Sequence, residues 1–498
     1  MSRPAPRQWL ALAAVLALSV ALRLHHIGVP LVDTSDWRQT DTAAVAYFYF
    51  HQGIRLLHPQ LWHDGPGPDY TQLELQLTPA LVALLAHLVG WSDALLRVCA
   101  VALFTLAAVP FWALVRRHLG AGVALWATLV YVLLPIGVFF GRTFQPENMQ
   151  LCTGMVALWA ADRVGERRST GRYVLAAAAL AVAVLAKLPN GMLLPVAAVL
   201  AEQDALWRGR VMLQWRRLLR AAGLILLPAA AGAAYTLGQA ALAVGGTHYV
   251  NFIVLSLGDS YIAGTTHLWP FFWQEVLGMA VTPAGVAAAA LGVWRLARMG
   301  RRAGWVWVWS GSVLVYAVVV LRAIRFQYYL MPLLPWVALL VGLGLDALAA
   351  GLPRRLPRAL QALPAAAAVA LVLSLLAGGL FQIQGFWPPY LPWYTGGLAL
   401  ESYLPADAVV ILTGTYNPTL LYYAQRHGYR IDPLTMSALQ ADVAGGARYL
   451  LDQGGIDPCM ADYLAEDFPA VGVGGIDVYT LPAVLPPVAG APSGACLQ

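Results

Sequence analysis

Apolar runs long enough to cross a bilayer recur from Trp9 to Leu380, with short polar breaks between them. A helix needs about 20 apolar residues to span the hydrocarbon core. Inside that core every backbone polar group needs an internal partner, which leaves only helices or closed barrels. A barrel would show alternating segments of about ten residues, and none is present. The pattern therefore predicts a polytopic α-helical membrane protein. Composition agrees: 59% of residues are hydrophobic and 11% charged, where a soluble domain carries roughly a quarter charged. In so apolar a chain, each charge has a cost and asks for a reason.

The arginines supply the topology. They cluster at Arg116–Arg117, at Arg163, Arg167, Arg168 and Arg172, from Arg208 to Arg220, from Arg295 to Arg302 and from Arg354 to Arg358. Basic residues concentrate in cytoplasmic loops, so the net charge of +6 reads as topology and excludes a nucleic-acid partner. Placing the clusters inside predicts eleven spans, near 9–27, 94–115, 121–140, 147–162, 173–187, 190–206, 219–241, 271–294, 304–322, 327–349 and 360–380. The N-terminus is then inside and the C-terminus outside. Trp9–Leu24 is read as a retained first span, since no small-residue cleavage site precedes "RLHH". Leu75–Trp91 is read as an interfacial or re-entrant helix, because a further span there would invert every arginine cluster.

These boundaries predict a membrane domain over 1–380, with a first outer loop and interfacial helices at about 28–92. A small extracytoplasmic α/β domain follows over 381–498. In it "DAVVILTG", "YRI", "ARYLLDQ" and "IDVYTLP" read as strands, and "NPTLLYYAQRHG" as a helix ending at a glycine cap. Cys99 and Cys152 lie in apolar helices and read as small hydrophobes. Cys459 and Cys496 are a candidate disulfide if their region is outside.

Four polar groups fall at one level of this topology. "DTSDWRQTDTAAVAYFYF" places Asp33, Asp36, Arg38 and Asp41 beside an apolar run. Arg38 and Asp41, three apart, can pair on a helix face, whereas Asp36 and Asp41 lie roughly 140° apart around it. Glu147 follows Pro146 at a helix start, where a carboxylate is favoured. Lys187, in "LAKLPNG", is the one lysine of the chain. It is either a snorkelling side chain or a point-charge anchor for a phosphate. Arg322 and Arg325 precede Tyr328 and Tyr329, which suit an interface while the arginines suit an oxyanion. Cations with carboxylates at one face fit transfer from a lipid-linked phosphate, one acid serving as base. Glycosyl transfer from a polyprenyl-phosphate sugar meets both needs. No Gly-rich phosphate loop, H-E-x-x-H or G-x-S-x-G motif is present.

The ordered set "WRQTDTAAVAYFYF", "ELQLTPALVALLAHLVG", "ALLRVCAVAL", "GRTFQPENMQL", "LAKLPNGMLLP" and "YYLMPLLPWVALL" resembles bacterial glycosyltransferases of the GT-C class. The resemblance is to family 39, which holds protein O-mannosyltransferases and lipid A aminoarabinose transferases, and runs from Trp37 to about Asp346. It implies a GT-C fold and inverting transfer from a polyprenyl-phosphate sugar on the outer face of the bacterial cytoplasmic membrane. Most members carry an Asp-Glu pair in the first loop. This chain instead resembles the subgroup reading W-R-Q-x-D-T, which puts the base on Asp41, with Asp36 the competitor and Glu147 the second acid. Lys187, Arg325, Tyr328 and Tyr329 fall on donor-binding positions, and Arg38 and Glu74 join the expected substrate contacts, Arg38 as the group orienting Asp41. The acceptor is a lipid, glycan or protein. No cofactor is certain, and a divalent metal stays open. Two other functions also stay open: a transporter or flippase of an anionic lipid-linked substrate, and a GT-C ligase or polymerase using diphosphate donors.

Overall fold

The computed structural model describes residues 5–206, 215–242, 268–321, 324–351, 362–415, 417–454 and 456–486. Within them the chain forms two compact units. One takes Met1–Ile27, Leu95–Leu237 and Val250–Trp387; the other takes Gly28–Ala94, Gly238–Tyr249 and Pro388–Gln498. The segment from 28 to 94 is thus in one unit with the C-terminal α/β fold.

In chain order the first ten helices are α1 (Pro6–Arg23), α2 (Asp36–Gln52), α3 (Leu77–Val89), α4 (Asp93–Leu119), α5 (Ala121–Leu133), α6 (Pro135–Phe140), α7 (Pro146–Glu166), α8 (Thr170–Ala186), α9 (Leu194–Leu206) and α10 (Trp215–Leu242). Among the described residues, five helical stretches are long and apolar enough to cross a membrane: Asp93–Leu119, Trp215–Leu242, Gly304–Leu321, Gln327–Ala350 and Leu363–Tyr403. Phe272–Val281 and Pro283–Arg298, bent by 74°, make a sixth if taken as one span. The eleven expected spans therefore do not all appear as single long helices, and proline explains two of the breaks. Pro135 has no N–H to donate, so the expected span 121–140 is α5 followed by α6. Pro283 likewise opens a new helix after Thr282. The expected span 190–206 begins as a 3-10 turn, Leu188–Leu193, before α9.

Small residues let the membrane helices touch. A Cβ on Gly292 would run into the Leu340 carbonyl, and one on Gly344 into that of Ala288. Helices Pro283–Arg298 and Leu334–Gly351 therefore meet backbone to backbone, as helices do where hydrophobicity alone cannot drive association. Arg23 is fully buried in this unit and is satisfied locally. It donates to the carbonyls of Ser19, Val132 and Gly137 at 2.9–3.1 Å, with its guanidinium 3.8 Å from the Phe104 ring centre. Cys99 is buried and Cys152 half-buried, and both are free. The Cys459–Cys496 pairing falls outside the described residues.

The second unit is built on a five-stranded sheet, β1 (Val410–Thr413), β2 (Gly428–Ile431), β3 (Tyr449–Asp452), β4 (Ala470–Val473) and β5 (Ile476–Thr480). Its order is β2-β1-β3-β5-β4. β1 runs parallel to β2 and β3, and β5 antiparallel to β3 and β4. The four expected strands are all present; β4 was not anticipated. The expected helix in "NPTLLYYAQRHG" spans Thr419–Ala424 and stops at Gln425, whose φ of 50° breaks it. Gly428 is not its cap but the first residue of β2. The helix expected within 75–91 is α3.

Candidate functional site

The first polar cluster lies wholly in the second unit. Ser35, at φ 63°, turns the chain so that α2 starts at Asp36. The half-buried Asp36 carboxylate accepts from the Trp37 backbone N–H at 2.8 Å and from Asn417 Nδ2, 3.1 Å from each of its oxygens. Burial pushes its pKa up to about 6, against the opposing pull of those two hydrogen bonds.

Asp41, a turn and a half further on, belongs to a closed ring of side chains. Trp37 Nε1 donates to Asp41 Oδ2 at 2.8 Å, and Asp41 Oδ1 lies 3.0 Å from His63 Nε2. His63 Nδ1 is 3.0 Å from Asp64 Oδ1, and Arg430 lies 3.5 Å from that same oxygen. The Arg430 guanidinium closes the ring 5.2 Å from the Trp37 ring centre. Burial disfavours the imidazolium of His63. The Asp41 charge and the hydrogen bonds to Asp41 and Asp64 outweigh it, lifting the pKa to about 9. At neutral pH His63 is a cation with both nitrogens donating to carboxylates. Asp64 stays below the usual range despite burial, because His63 and Arg430 face it. Beside this ring, burial and then the Asp64 charge raise Asp69 to about 7. Its Oδ2 accepts from the Asp64 N–H at 2.9 Å.

The loop bearing His63 and Asp64 is held by its backbone. Leu61 N–H donates to Asp69 O and Thr71 N–H to Pro59 O. Gly428 then clamps the loop to the sheet edge, donating to Trp62 O at 2.9 Å and accepting from Gly65 N–H at 3.0 Å. A Cβ on Gly428 would strike the Val410 carbonyl, so only glycine lets β1, β2 and this loop meet there.

The second cluster lies in the first unit. Glu147, 1% exposed, sits in the first turn of α7, and Lys187, 2% exposed, follows the last residue of α8. Lys187 Nζ donates to Glu147 Oε1 in a buried ion pair. The ammonium lies 5.0 Å from the Tyr329 ring centre and 5.7 Å from that of Tyr328. Tyr316 fixes this turn by donating to Tyr329 O at 2.7 Å. Arg325 is half-buried three residues before Tyr328; Arg322 lies outside the described residues. Glu147 Oε2 and both side-chain polar atoms of Gln150 are buried without a protein partner.

Lys187, Glu147, Tyr328 and Tyr329 thus come together as one cluster. The expected pairing of Arg38 with Asp41 is corrected: Arg38 forms its ion pair with Glu74, and Asp41 is oriented by Trp37 and His63 instead. Two donors already hold the Asp41 carboxylate, while Glu74, 7% exposed, needs a cation. His63, Asp64, Arg430 and Asn417 were not singled out from the sequence. The signal for the first two was "LWHDGPGPDY", a His-Asp pair and a further acid in a chain that spends few charges. Nothing local marks the other two, which reach the site only through the fold. Among the described residues, no group of three or more His, Cys, Asp or Glu is arranged to hold a metal ion.

The crystal structure of ArnT from Cupriavidus metallidurans in the apo state matches 95% of this chain and 98% of its own, at TM-score 0.62 and 13% identity. The chain has the GT-C fold. The same enzyme bound to undecaprenyl phosphate matches 97% of this chain and 100% of its own at TM-score 0.54 and 13% identity. The Archaeoglobus fulgidus oligosaccharyltransferase in complex with Zn and sulfate matches 88% of this chain and 68% of its own, at TM-score 0.59 and 12% identity. A family model, dolichyl-phosphate-mannose-protein mannosyltransferase, matches residues 76–233, a stretch that contains Glu147 and Lys187. No curated relative matches the sequence. That family model matches the motif-based resemblance over part of the chain, and the chain is a multi-pass membrane protein of GT-C fold.

Proposed function

We propose that this chain is an inverting glycosyltransferase that moves a sugar from a polyprenyl-phosphate donor to an acceptor hydroxyl. The reaction is placed on the outer face of a bacterial cytoplasmic membrane, with the N-terminus inside and the C-terminal domain outside, from the distribution of arginines. The observation that carries the reading is a half-buried carboxylate at the head of α2, in a chain of GT-C fold. Asp36, with its pKa raised to about 6, is mostly ionised at neutral pH and is a stronger base than an ordinary carboxylate. Asp41 is less suited to be the base, since its carboxylate is paired with the His63 cation, whereas Asp36 faces the neutral donors Trp37 N–H and Asn417. Asp36 is therefore the favoured base and Asp41 the anchor of the ring that holds α2 and the His63 loop together. In the step itself the acceptor oxygen attacks the anomeric carbon. Its proton passes to the base, the bond from that carbon to the phosphate oxygen breaks, and the phosphate leaves with the electron pair.

A departing phosphate needs positive charge. Lys187 is the natural candidate, held between Glu147 and two tyrosine rings, and Arg325, three residues before Tyr328, is the second. Solved structures of this fold support the donor class. ArnT is known bound to undecaprenyl phosphate, and the archaeal AglB of A. fulgidus in complex with dolichol-phosphate and an inhibitory peptide. The base assignment is tested by transfer from a labelled donor in membrane vesicles. Asp36→Asn should lower turnover about 10²–10⁴-fold, the range for loss of a general base. Full activity in Asp36→Asn with a loss in Asp41→Asn would move the base to Asp41.

A further inference from the structure

The second unit holds an aromatic pocket of about 390 Å³ that the proposed chemistry does not use. This lies within the size range of small-molecule sites, about 300–1,000 Å³. Its wall includes Tyr47, Trp91, Tyr394 and Tyr423, with Asp93 and Gln425 as the principal polar groups. Tyr394 meets Tyr423 edge-on at 4.9 Å, and Tyr47 meets Trp91 edge-on at 5.7 Å. Hydrogen bonds lock the rings. Tyr423 donates to Asp93 Oδ2 at 2.9 Å and accepts from the Leu31 N–H at 2.7 Å. Tyr47 donates to Gln425 Oε1 at 2.7 Å. Gln425 is presented from the left-handed region, at φ 50°, where a residue with a side chain is strained. Such strain persists only where the surroundings enforce it, and it clusters at functional sites.

The pocket also has a defined relation to Asp36. Tyr47 is eleven residues beyond Asp36 on α2, so the two lie within about 20° of one another around the helix and about 16 Å apart along it. The helix Thr419–Ala424 lies alongside α2. Asn417 bonds to Asp36, Thr419 Oγ1 lies 3.2 Å from Thr40 Oγ1, and Gln425 accepts from Tyr47. The carboxylate stands at one end of this seam and the pocket at the other.

We propose that the pocket binds an uncharged sugar ring. Flat aromatic faces take the C–H faces of a sugar, and the amide, carboxylate and hydroxyl groups at their edges take its hydroxyls. Among the described residues, Lys, Arg and His are absent from the wall, so a phosphate or a uronic acid finds no counter-charge among them. A prenyl or acyl chain would bury those polar groups without replacing their hydrogen bonds with water, which costs free energy. The sugar belongs to the acceptor or to the donor; assigning it to either rests on the transferase reading, whereas binding does not.

The test is saturation-transfer NMR on the full chain in nanodiscs, with mannobiose, cellobiose and trehalose as probes. At least one disaccharide should receive saturation through its C–H protons. Tyr394→Ala and Gln425→Gly should each weaken binding on the order of tenfold. The glycine variant relieves the strained φ and so removes the side chain without endangering the fold. Tyr394→Phe should retain binding. Displacement by a short-chain prenyl-phosphate sugar assigns the pocket to the donor's sugar; binding that persists in its presence assigns it to the acceptor. No saturation transfer from any of the three, or transfer unchanged in both weakening variants, would overturn the proposal. Since no turnover is read, that failure would leave the transferase reading standing. Conversely, absent transfer with intact disaccharide binding would sink the transferase and not the pocket.

Discussion

Asp36 and Asp41 stand five residues apart on one helix, and their neighbours give them different chemistry. Asp36 faces two neutral donors and loses hydration, so its proton is held up to about pH 6. Asp41 faces a cation. If Asp36 is the base, turnover should fall as pH drops through about 6, because protonation removes the acceptor of the hydroxyl proton. That acid limb should vanish from the residual rate of Asp36→Asn. His63 makes a separate prediction about stability. Its unfolded imidazole titrates near 6.5 and the folded one near 9, so the folded state holds the proton more tightly. Its stabilisation is full below about 6.5 and is lost as pH rises through 9, a span on the order of 3 kcal/mol by linkage. Thermal unfolding of the purified protein between pH 6 and 10 should show this decline, and His63→Leu should be flatter and less stable at pH 6. An equal decline in that variant would contradict the assignment.

At the scale of elements, one glycine joins three pieces of the second unit. Gly428→Ala has to displace β2 from β1 or release the loop from 59 to 71, an overpacking cost of about 1–3 kcal/mol. Limited proteolysis should then cut that loop sooner, and the Arg430–Asp64 pair should loosen with it. Uptake of the substitution with an unchanged cleavage pattern would show the clamp to be unimportant. The elements were legible wherever periodicity or composition carried them. The apolar runs marked the membrane helices, and the short apolar stretches starting at Val410, Tyr449 and Ile476 marked strands. What failed was local exception. β4 is the short, glycine-containing "AVGV" and looks like a turn; α5 and α6 look like one span until Pro135 is given its missing N–H. The helix before Gln425 ends on a strained residue rather than on the obvious glycine. Arg38–Asp41 was sound helix geometry, yet Glu74, distant in sequence, takes the arginine.

Across the whole molecule, the sequence was most informative where charge is scarce. Lys187 stood out as a lone lysine and Glu147 as an acid beside an apolar run, and the two are partners in one buried pair. The His63–Asp64–Arg430 arm was illegible because it is assembled from a loop and a strand more than 350 residues apart in the chain, and nothing local in either segment announces the other. Lys187→Met should lower turnover with polyprenyl-phosphate donors and also leave Glu147 buried without its cation, a change costing about 3–5 kcal/mol. The double variant Lys187→Met with Glu147→Gln should recover that stability but not the activity, read as thermal unfolding against initial rate. The central claim is transfer from a lipid monophosphate. The direct measurement supplies the purified chain, in a bilayer with an envelope fraction as acceptor, with a labelled polyprenyl-monophosphate sugar. Chromatography should show one free polyprenyl monophosphate for each labelled sugar joined to acceptor. An intact donor, consumption of diphosphate donors alone, or label crossing the bilayer with its lipid bond unbroken would contradict it.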